Sequence, residues 1–239
     1  MKIALIGYGK MGKTIEELAE LNNHKIELII DENSLEDFTE ENLRRVDVAI
    51  EFSTPDVAFE NIIKCINSGV PVVSGTTGWL HRLDEVVELC KTENGAFFYA
   101  SNFSLGVNIF FKLNQYLAKI MNKFPEFNIS IEETHHIHKI DAPSGTAITL
   151  ANDIIKNIKC KKGWVKEIAP ENSEIEIKSF RIGENPGEHI IHYDSMIESI
   201  DIIHKSKSRI GLAMGALTAA SFIVGKSGVF GMDDLLELS

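Results

Sequence analysis

The sequence predicts an open, doubly wound α/β fold with a parallel sheet, together with a second α+β domain that carries a mixed or antiparallel sheet. Two observations predict the first part. Strand-like and helix-like segments alternate through the first hundred residues, and the first strand ends in a glycine-rich turn. One observation predicts the second part, since strand-like segments follow one another between residues 174 and 204 without helices between them.

The composition is that of an ordinary globular protein: 239 residues, of which 44% are hydrophobic and 25% are charged. The net charge of −11 argues against a nucleic-acid partner, because a phosphate backbone requires a basic surface. Cys65, Cys90 and Cys160 are widely spaced and lack a disulfide or metal-binding pattern, so we expect reduced thiols in a cytoplasmic protein. The first apolar segment is too short for a secretory signal.

The first half divides into short β-rich segments and segments with helical spacing. The predicted strands are 2–6, 25–30, 46–52, 70–73 and 96–100. The predicted helices begin near residue 11, at Pro55 and at Leu83, and each repeats apolar residues at helical spacing. Pro55 suits a first helical turn, where its missing N–H has no partner to lose.

The pattern changes after Phe103, and we predict a domain boundary there. A long amphipathic helix covers 107–121, with an apolar stripe of Val107, Phe110, Phe111, Leu117, Ile120 and Met121. A strand with period two follows from residue 127, and then a helix over 145–158 and strands over 174–180, 188–194 and 199–204. The predicted domains are 1–104, completed by 210–239, and 105–209.

Residues 210–225 carry no charge and raise the alternative of a membrane span. A helix of that length covers only about 24 Å, whereas the hydrocarbon core is roughly 30 Å thick. Arg209 and Lys226 bound the segment, and Gly211 and Gly215 have the spacing of a close helix contact. We therefore predict a buried helix that returns to the first domain, and no membrane partner.

A glycine-rich loop, Gly7-Tyr8-Gly9-Lys10-Met11-Gly12, follows the first strand and opens a helix. This is the context in which a GxGxxG pattern binds the pyrophosphate of a dinucleotide at a helix N-terminus. Asp31 lies about 20 residues later at the end of the second strand, where an acid accepts a hydrogen bond from an adenosine ribose.

Glu32 follows Asp31, and two carboxylates repel the 2′-phosphate of NADPH. We therefore predict that NADH is preferred over NADPH, moderated by Lys10 and Lys13. The turns at 75–78 and 100–103 follow the fourth and fifth strands, and ligands of open α/β sheets lie at the carboxyl ends of strands. Both turns are candidates to line the nicotinamide end of the cofactor.

Three of the eight histidines lie within residues 135–138, next to Lys139. The Ser144-Gly145-Thr146 segment fits a helix N-terminus that holds a carboxylate. A metal site is one alternative, but an extended segment would put His135 on the face opposite His136 and His138, and Lys139 would repel a cation. A solvated histidine tract is another alternative. Acid–base chemistry on an anionic substrate is the interpretation we favour, and we predict no metal.

Four segments together, GYGKMG, SGTTGW, SNFSLGVN and EETHHIHKIDAPSGTA, resemble the dihydrodipicolinate (4-hydroxy-tetrahydrodipicolinate) reductase family, and the similarity continues at 180–183, 187–189 and 204–209. The resemblance implies a Rossmann-type domain formed by both chain ends and a central substrate-binding domain whose sheet builds a homotetramer. It implies an oxidoreductase that uses NAD(P)H to reduce 4-hydroxy-tetrahydrodipicolinate to tetrahydrodipicolinate in lysine and diaminopimelate biosynthesis.

The resemblance also implies residue roles. His135 is expected to be the general acid/base and Lys139 the proton donor. The expected substrate-binding residues are His136, Ser144, Gly145 and Thr146. The expected dinucleotide-binding residues are Gly7, Tyr8, Gly9, Lys10, Met11, Gly12, Asp31, Gly75, Thr76, Thr77, Ala100, Ser101, Asn102 and Phe103.

Two departures from the family pattern concern the cofactor. The segment between residues 31 and 46 is shorter than usual, and Glu32 stands where many members carry a basic residue. The site is expected between the domains, with closure about segments near Phe103 and Arg209. Three alternatives stay open: a non-catalytic dinucleotide sensor, a zinc hydrolase, and a dehydrogenase of another small molecule.

Overall fold

The computed structural model describes residues 1–166, 173–208 and 210–237. The chain forms two compact units, one from Met1–Leu105 with Ile210–Ser239 (the terminal unit) and one from Gly106–Arg209 (the middle unit). Arg209, expected to bound the uncharged helix and to lie near a closing segment, falls outside the described residues. Among the helices of the described part of the chain, none is long and apolar enough to cross a membrane.

Strands and helices alternate up to residue 105, as predicted. The elements are β1 (Lys2–Ile6), α1 (Lys10–Leu21), β2 (Lys25–Ile30), α2 (Glu40–Leu43), β3 (Val48–Glu51), α3 (Pro55–Asn67), β4 (Val72–Ser74), α4 (Leu83–Thr92) and β5 (Ala96–Tyr99).

The middle unit contains two longer helices and a sheet. Its elements are α5 (Leu105–Met121), β6 (Asn128–His135), α6 (Gly145–Asn157), β7 (Gly163–Val165), β8 (Glu174–Arg181), β9 (Glu188–Asp194) and β10 (Ser199–Lys205). The chain then returns to the terminal unit with α7 (Ile210–Ile223), β11 (Gly228–Phe230) and α8 (Met232–Leu235).

The terminal unit is built on a parallel six-stranded sheet in the order β11-β5-β4-β3-β1-β2. Its central strands are apolar and buried, which is typical of a sheet covered on both faces. The register aligns Ile6, Glu51, Ser74 and Tyr99 at the carboxyl ends of β1, β3, β4 and β5. The loops that follow these strands are therefore brought to one edge of the sheet.

Helix α7 supplies the uncharged surface that covers this sheet, and the prediction of a buried helix is confirmed. It packs against α1, β3, β4 and β5. A Cβ atom on Gly215 would lie 1.8 Å from the carbonyl oxygen of Phe103, so only glycine permits this approach. Gly211 has no such constraint, since its nearest neighbour would be Oγ of Ser104 at 3.9 Å.

The middle unit carries a mixed sheet in the order β10-β9-β6-β8-β7. Strands β6, β7 and β8 are parallel, whereas β9 runs antiparallel to both β6 and β10. One face of this sheet packs on the helices through buried residues that include Ile131, Ile177, Ile191 and Tyr193. The predicted fold class, a doubly wound parallel sheet with a second unit that has a mixed sheet, is confirmed.

Two kinds of detail differ from the predictions. The short elements α2, β7, β11 and α8 were not predicted, because three or four residues give no measurable periodicity. The placement of Ile120 on the buried stripe of α5 was wrong, since 41% of this residue is exposed. Asn114 is buried on this helix, where its Nδ2 donates a hydrogen bond to the carbonyl oxygen of Leu150 (3.0 Å).

Candidate active site

The glycine-rich loop connects β1 to α1 in the terminal unit. Gly7 has φ +92°, and a Cβ there would lie 2.1 Å from the carbonyl oxygen of Phe52. A Cβ on Gly12 would lie 2.5 Å from the carbonyl oxygen of Gly7, so α1 packs closely on the turn. Gly9, the residue that precedes α1, faces open space, with no atom within 4 Å of a Cβ built on it. A tight turn, close packing and an open approach are the three features that a pyrophosphate site requires.

A cleft of about 580 Å³ opens beside this loop. Its walls include Gly7, Tyr8, Gly9, Asp31, Glu32, Leu35, Phe52, Ser53, Thr54 and Val57. Oδ1 of Asp31 accepts hydrogen bonds from the backbone N–H of Asn33 (2.8 Å) and from Oγ of Ser34 (3.1 Å), so this carboxylate is held in place at the end of β2. The residues of the cleft therefore fit a dinucleotide whose phosphates lie at the start of α1.

The two turns that were predicted to line the nicotinamide end of the cofactor, at residues 75–78 and 100–103, follow β4 and β5. Gly75 lies under the ring of Phe52, whose Cε1 would be 2.1 Å from a Cβ at that position. Thr76 is buried, and the side chain of Asn102 accepts a hydrogen bond from the backbone N–H of Ser104 (2.9 Å). Phe103 is buried against Phe52 and Phe98. Thr77 and Ser101 are exposed.

Glu51, which sequence reasoning missed, joins the loops after β3 and β4. Its carboxylate is fully buried at the end of β3 and accepts hydrogen bonds from the backbone N–H of Ser53 (3.0 Å), from Oγ of Ser74 (2.6 Å) and from Oγ1 of Thr76 (2.9 Å). The hydroxyl of Ser53 donates to it as well. One carboxylate therefore fixes the loops after β3 and β4. The signal was an acidic residue in an otherwise apolar strand.

In the middle unit, Glu133 and His135 lie near the end of β6 on the face that packs on the helices. Backbone N–H of Ser144 donates to both oxygens of Glu133, at 3.1 and 3.0 Å. The guanidinium of Arg181 lies 3.4 Å from Oε1. Oε2 lies 3.5 Å from Nδ1 of His135 and 3.7 Å from Nε2 of His189. These four partners come from β6, β8, β9 and the start of α6.

Hydrogen bonds reverse the ordinary effect of burial on Glu133. Burial alone would raise the pKa of this carboxyl group, but hydrogen bonds from His189, Ser144 and Ser179 hold the pKa well below its usual range. Glu133 is therefore a carboxylate at neutral pH. The sequence signal that was available is the alternation along β6, which puts residues 129, 131, 133 and 135 on one face.

His135 is buried, and its pKa is lowered to about 4. Burial is the largest cause of this shift, and the charge of His189 is the next largest. Glu133 acts in the opposite direction but does not outweigh them. The imidazole is therefore neutral at pH 7 in the ligand-free chain. A Cβ on Gly187, which has φ +147°, would lie 3.2 Å from Nε2 of His135, so the histidine ring rests on a position that favours glycine.

Lys139 lies in the turn after β6. Its Nζ donates to both carboxylate oxygens of Asp141, at 2.7 and 2.8 Å. Arg181 holds this turn, because its side chain donates to the carbonyl oxygens of Lys139 (3.1 Å) and Asp141. The ammonium group of Lys139 is thus retained near the end of β6 by a residue of β8 that sequence reasoning did not assign.

The predicted substrate-binding residues follow the same turn. His136 is half-buried, and its ring centre lies 6.1 Å from that of the exposed His138. Ser144 caps α6, accepting a hydrogen bond from the backbone N–H of Ala147 (3.2 Å), and its hydroxyl lies 3.1 Å from Nε2 of His189. Gly145 is exposed and Thr146 is half-buried at the first turn of α6.

Glu133, His135 and His189 are also the one grouping in the described residues with the donor atoms of a metal site, all within 4.8 Å of one another. The sequence argument against a metal considered His136 and His138 and missed this set. Both oxygens of Glu133 are already used by Ser144, and Arg181 brings a positive charge to the same carboxylate. We therefore do not assign a metal to it.

Comparison with known proteins gives the chain a family. The N-terminal and C-terminal domains of dihydrodipicolinate reductase match residues 1–103 and 106–236. The chain is 48% identical to a 4-hydroxy-tetrahydrodipicolinate reductase of Christiangramia forsetii over 99% of this chain and 98% of that protein. It is 40% identical to the protein of that name from Archaeoglobus fulgidus, over 80% of this chain and 76% of the relative.

A solved structure supports the fold. The dipicolinate-bound dihydrodipicolinate reductase of Paenisporosarcina sp. TG-14 superposes with a TM-score of 0.77 at 24% identity, covering 98% of this chain and 99% of that one. The two family models and the 48% identical relative confirm the family predicted from the motifs. The chain belongs to the dihydrodipicolinate reductase family of NAD(P)H-dependent oxidoreductases.

Proposed function

We propose that this chain reduces 4-hydroxy-tetrahydrodipicolinate to tetrahydrodipicolinate in lysine and diaminopimelate biosynthesis. The observation that carries the proposal is the network around His135 and Lys139 beside the N-terminus of α6. The chain belongs to this family, and its terminal unit has a cleft beside residues 7–12 that fits a dinucleotide. A neutral imidazole, an ammonium group and a helix N-terminus are the groups needed for acid–base chemistry on a dicarboxylate.

The terminal unit holds the cofactor in this proposal. Residues 7–12 bind the phosphates, Asp31 accepts from the adenosine ribose, and residues 75–77 and 100–103 line the nicotinamide end. A bound reduced dinucleotide supplies the hydride. Gly9 leaves the approach to the start of α1 open, whereas Gly7, Gly12 and Gly75 allow the loops to pack closely, because a Cβ there would meet neighbouring atoms.

Proton transfer belongs to the middle unit. Lys139 donates the proton that completes the reduction, while Asp141 and Arg181 hold its position. His135 is neutral in the free chain, and the negative charge of a bound dicarboxylate raises its pKa, so that it becomes a proton donor when substrate is present.

The substrate carboxylates bind at the start of α6 and at His136. Free N–H groups in the first turn of a helix attract anions, and Gly145 and Thr146 occupy that turn. Ser144 contributes through its position as the cap, because its hydroxyl and N–H are bonded to Ala147, His189 and Glu133. This arrangement stabilises the charge of the substrate in the ground state and in the transition state.

The direct test follows NADH absorbance in the presence of the condensation product of pyruvate and aspartate semialdehyde. Oxidation of NADH that depends on this compound supports the proposal. Cofactor binding without turnover would favour a dinucleotide sensor, and turnover of another small molecule alone would favour a different dehydrogenase. Elemental analysis of the active protein tests the zinc-hydrolase alternative.

NADH is the preferred cofactor in this proposal. Asp31 and Glu32 both line the cleft, and their charges repel a 2′-phosphate. We expect kcat/KM with NADH to exceed that with NADPH. Initial rates with both cofactors at one substrate concentration test this, and a roughly tenfold advantage of NADPH, about 1.4 kcal/mol, would contradict the proposed role of these two acids.

The protein acts as a cytoplasmic homotetramer in this proposal. The face of the middle sheet opposite α5 and α6 exposes Phe180 and Ile203, which are 42% and 51% accessible in the single chain, and apolar groups of this kind favour association. Cys65 and Cys90 are buried free thiols, as expected for a reducing compartment. Light scattering of the purified protein gives the number of subunits.

A further inference from the structure

We infer that Glu133 is a positioning residue: it selects the nitrogen of His135 that exchanges protons, and it fixes the start of α6. The inference deepens the proposed function and rests on it for the kinetic part alone. Its physical part, the protonation pattern of His135, concerns the ligand-free chain and is measurable without substrate.

The position of Glu133 in the sheet is unusual for an acid. Residues 129 and 131 on the same face of β6 are buried isoleucines in the apolar core. The register pairs Glu133 with Ser179 of β8 on one side and with His189 of β9 on the other. A buried carboxylate is costly unless hydrogen bonds and charges compensate it, and this row of the sheet supplies them.

The first consequence concerns α6. Backbone N–H of Ser144 donates to both oxygens of Glu133, and Ser144 is the residue that caps this helix. A carboxylate at a helix N-terminus is stabilised by the helix dipole and in turn holds the helix end. Glu133 therefore fixes the turn that presents Gly145 and Thr146, although it does not itself face the substrate in the proposed site.

The second consequence concerns His135. At 3.5 Å from Oε2 of Glu133, Nδ1 is attracted to the carboxylate when it carries a proton and repelled when it carries a lone pair. The carboxylate thus favours the Nδ1–H form. Nε2, beside Gly187, then has the lone pair and is the nitrogen that receives and returns the second proton.

The other charges around His135 affect whether the ring is neutral or charged. His189, Lys139 and Arg181 all lower its pKa and so favour the neutral ring, whereas Glu133 is the acid that opposes them. A neutral ring carries its proton either on Nδ1 or on Nε2, and the inference requires Nδ1–H.

Nitrogen-15 NMR of the histidine rings in the full-length protein at neutral pH distinguishes these forms. We expect Nδ1–H for His135 in the wild type and a shift toward Nε2–H in Glu133→Gln. Glu132→Gln is the matched control, because Glu132 neighbours Glu133 on β6 but is not buried and lies 3.8 Å from His192. It should leave the His135 spectrum unchanged.

Kinetics supply the second readout. Glu133→Gln should lower kcat by about tenfold or more, the range expected when a catalytic base loses its orientation, and should leave the dissociation constant of NADH unchanged.

Wild-type kcat in Glu133→Gln, together with an unchanged ring form, would overturn the inference and leave the proposed function intact. If the wild type does not reduce the substrate, the proposed function fails while the ring form still tests Glu133. If Glu133→Gln does not fold, the wild-type spectrum decides, since an Nε2–H ring there refutes the inference.

Discussion

The two units each bury a carboxylate near the carboxyl end of a central strand, but they surround it with different partners. Glu51 accepts hydrogen bonds from neutral groups, namely the hydroxyls of Ser53, Ser74 and Thr76 and one backbone N–H. Glu133 lies among an arginine, two histidines and a helix N-terminus. The first arrangement fixes the shape of two loops, whereas the second, in our inference, also selects the nitrogen of His135 that carries the proton. Changes in the terminal unit should therefore alter cofactor affinity, and changes in the middle unit should alter proton transfer.

The largest effect is expected for the proposed proton-transfer residues. His135→Ala and Lys139→Ala should each lower kcat by roughly 10²-fold or more, the usual contribution of a positioned acid or base. The dissociation constant of NADH should stay the same, because the proposed dinucleotide cleft beside residues 7–12 lies in the terminal unit. Steady-state kinetics and fluorescence titration measure the two quantities. Near-wild-type turnover in both variants would exclude this mechanism.

A pH effect on stability is expected from His135 of the middle unit. The folded-state pKa of His135 is about 4, below its ordinary value of 6.5, so unfolding takes up a proton and the folded state loses stability as pH falls through this interval. The expected loss between pH 7 and pH 5 is about 2 kcal/mol. Burial also lowers the pKa of His204, which adds in the same direction.

Denaturant unfolding of the wild type and of His135→Asn at pH 7 and pH 5 measures this contribution. The variant cannot take up the proton, so its stability should depend less on pH over this range. Glu133, whose pKa is also lowered, contributes above its ordinary pKa of 4.5 and loses its contribution only at lower pH. An equal loss in both proteins would show that His135 is not the titrating group.

The smallest of these effects should come from Glu51→Gln. The amide has the size of the carboxylate, but its nitrogen no longer accepts a hydrogen bond, and one buried partner left unsatisfied costs about 1–3 kcal/mol. The loops at residues 53 and 76 should loosen and the dissociation constant of NADH should rise by about tenfold. The kcat at saturating cofactor should change little. A fall in kcat with unchanged NADH affinity would contradict the expectation that the terminal unit determines cofactor affinity and the middle unit determines proton transfer.

Sequence reasoning found features whose parts are close together in the chain. Gly7, Gly9 and Gly12 lie within six residues, and their spacing together with the strand before and the helix after predicts their geometry. The alternation of strands and helices likewise predicts the parallel sheet. The histidine-rich segment at residues 132–147 predicts the family for the same reason, since its members are contiguous.

The partners of Glu51 and Glu133 were not predictable in this way. Ser74 is 23 residues from Glu51, and Arg181 is 48 residues from Glu133. Which strands become neighbours, and in which register, depends on the packing of the whole sheet rather than on local periodicity. On α5, the burial of Asn114 likewise involves a distant partner, the carbonyl oxygen of Leu150 in α6.

Helix α7 and strand β11 have a consequence for the order of events during synthesis. The sheet of the terminal unit needs α7 to cover it and β11 to extend it beyond β5, yet both are translated after the entire middle unit. On the ribosome, the middle unit has all its strands available while the earlier sheet still has an uncovered apolar face. Folding of the terminal unit therefore ends only when the last helix emerges, and a chain halted before residue 210 would expose the surface most prone to aggregate.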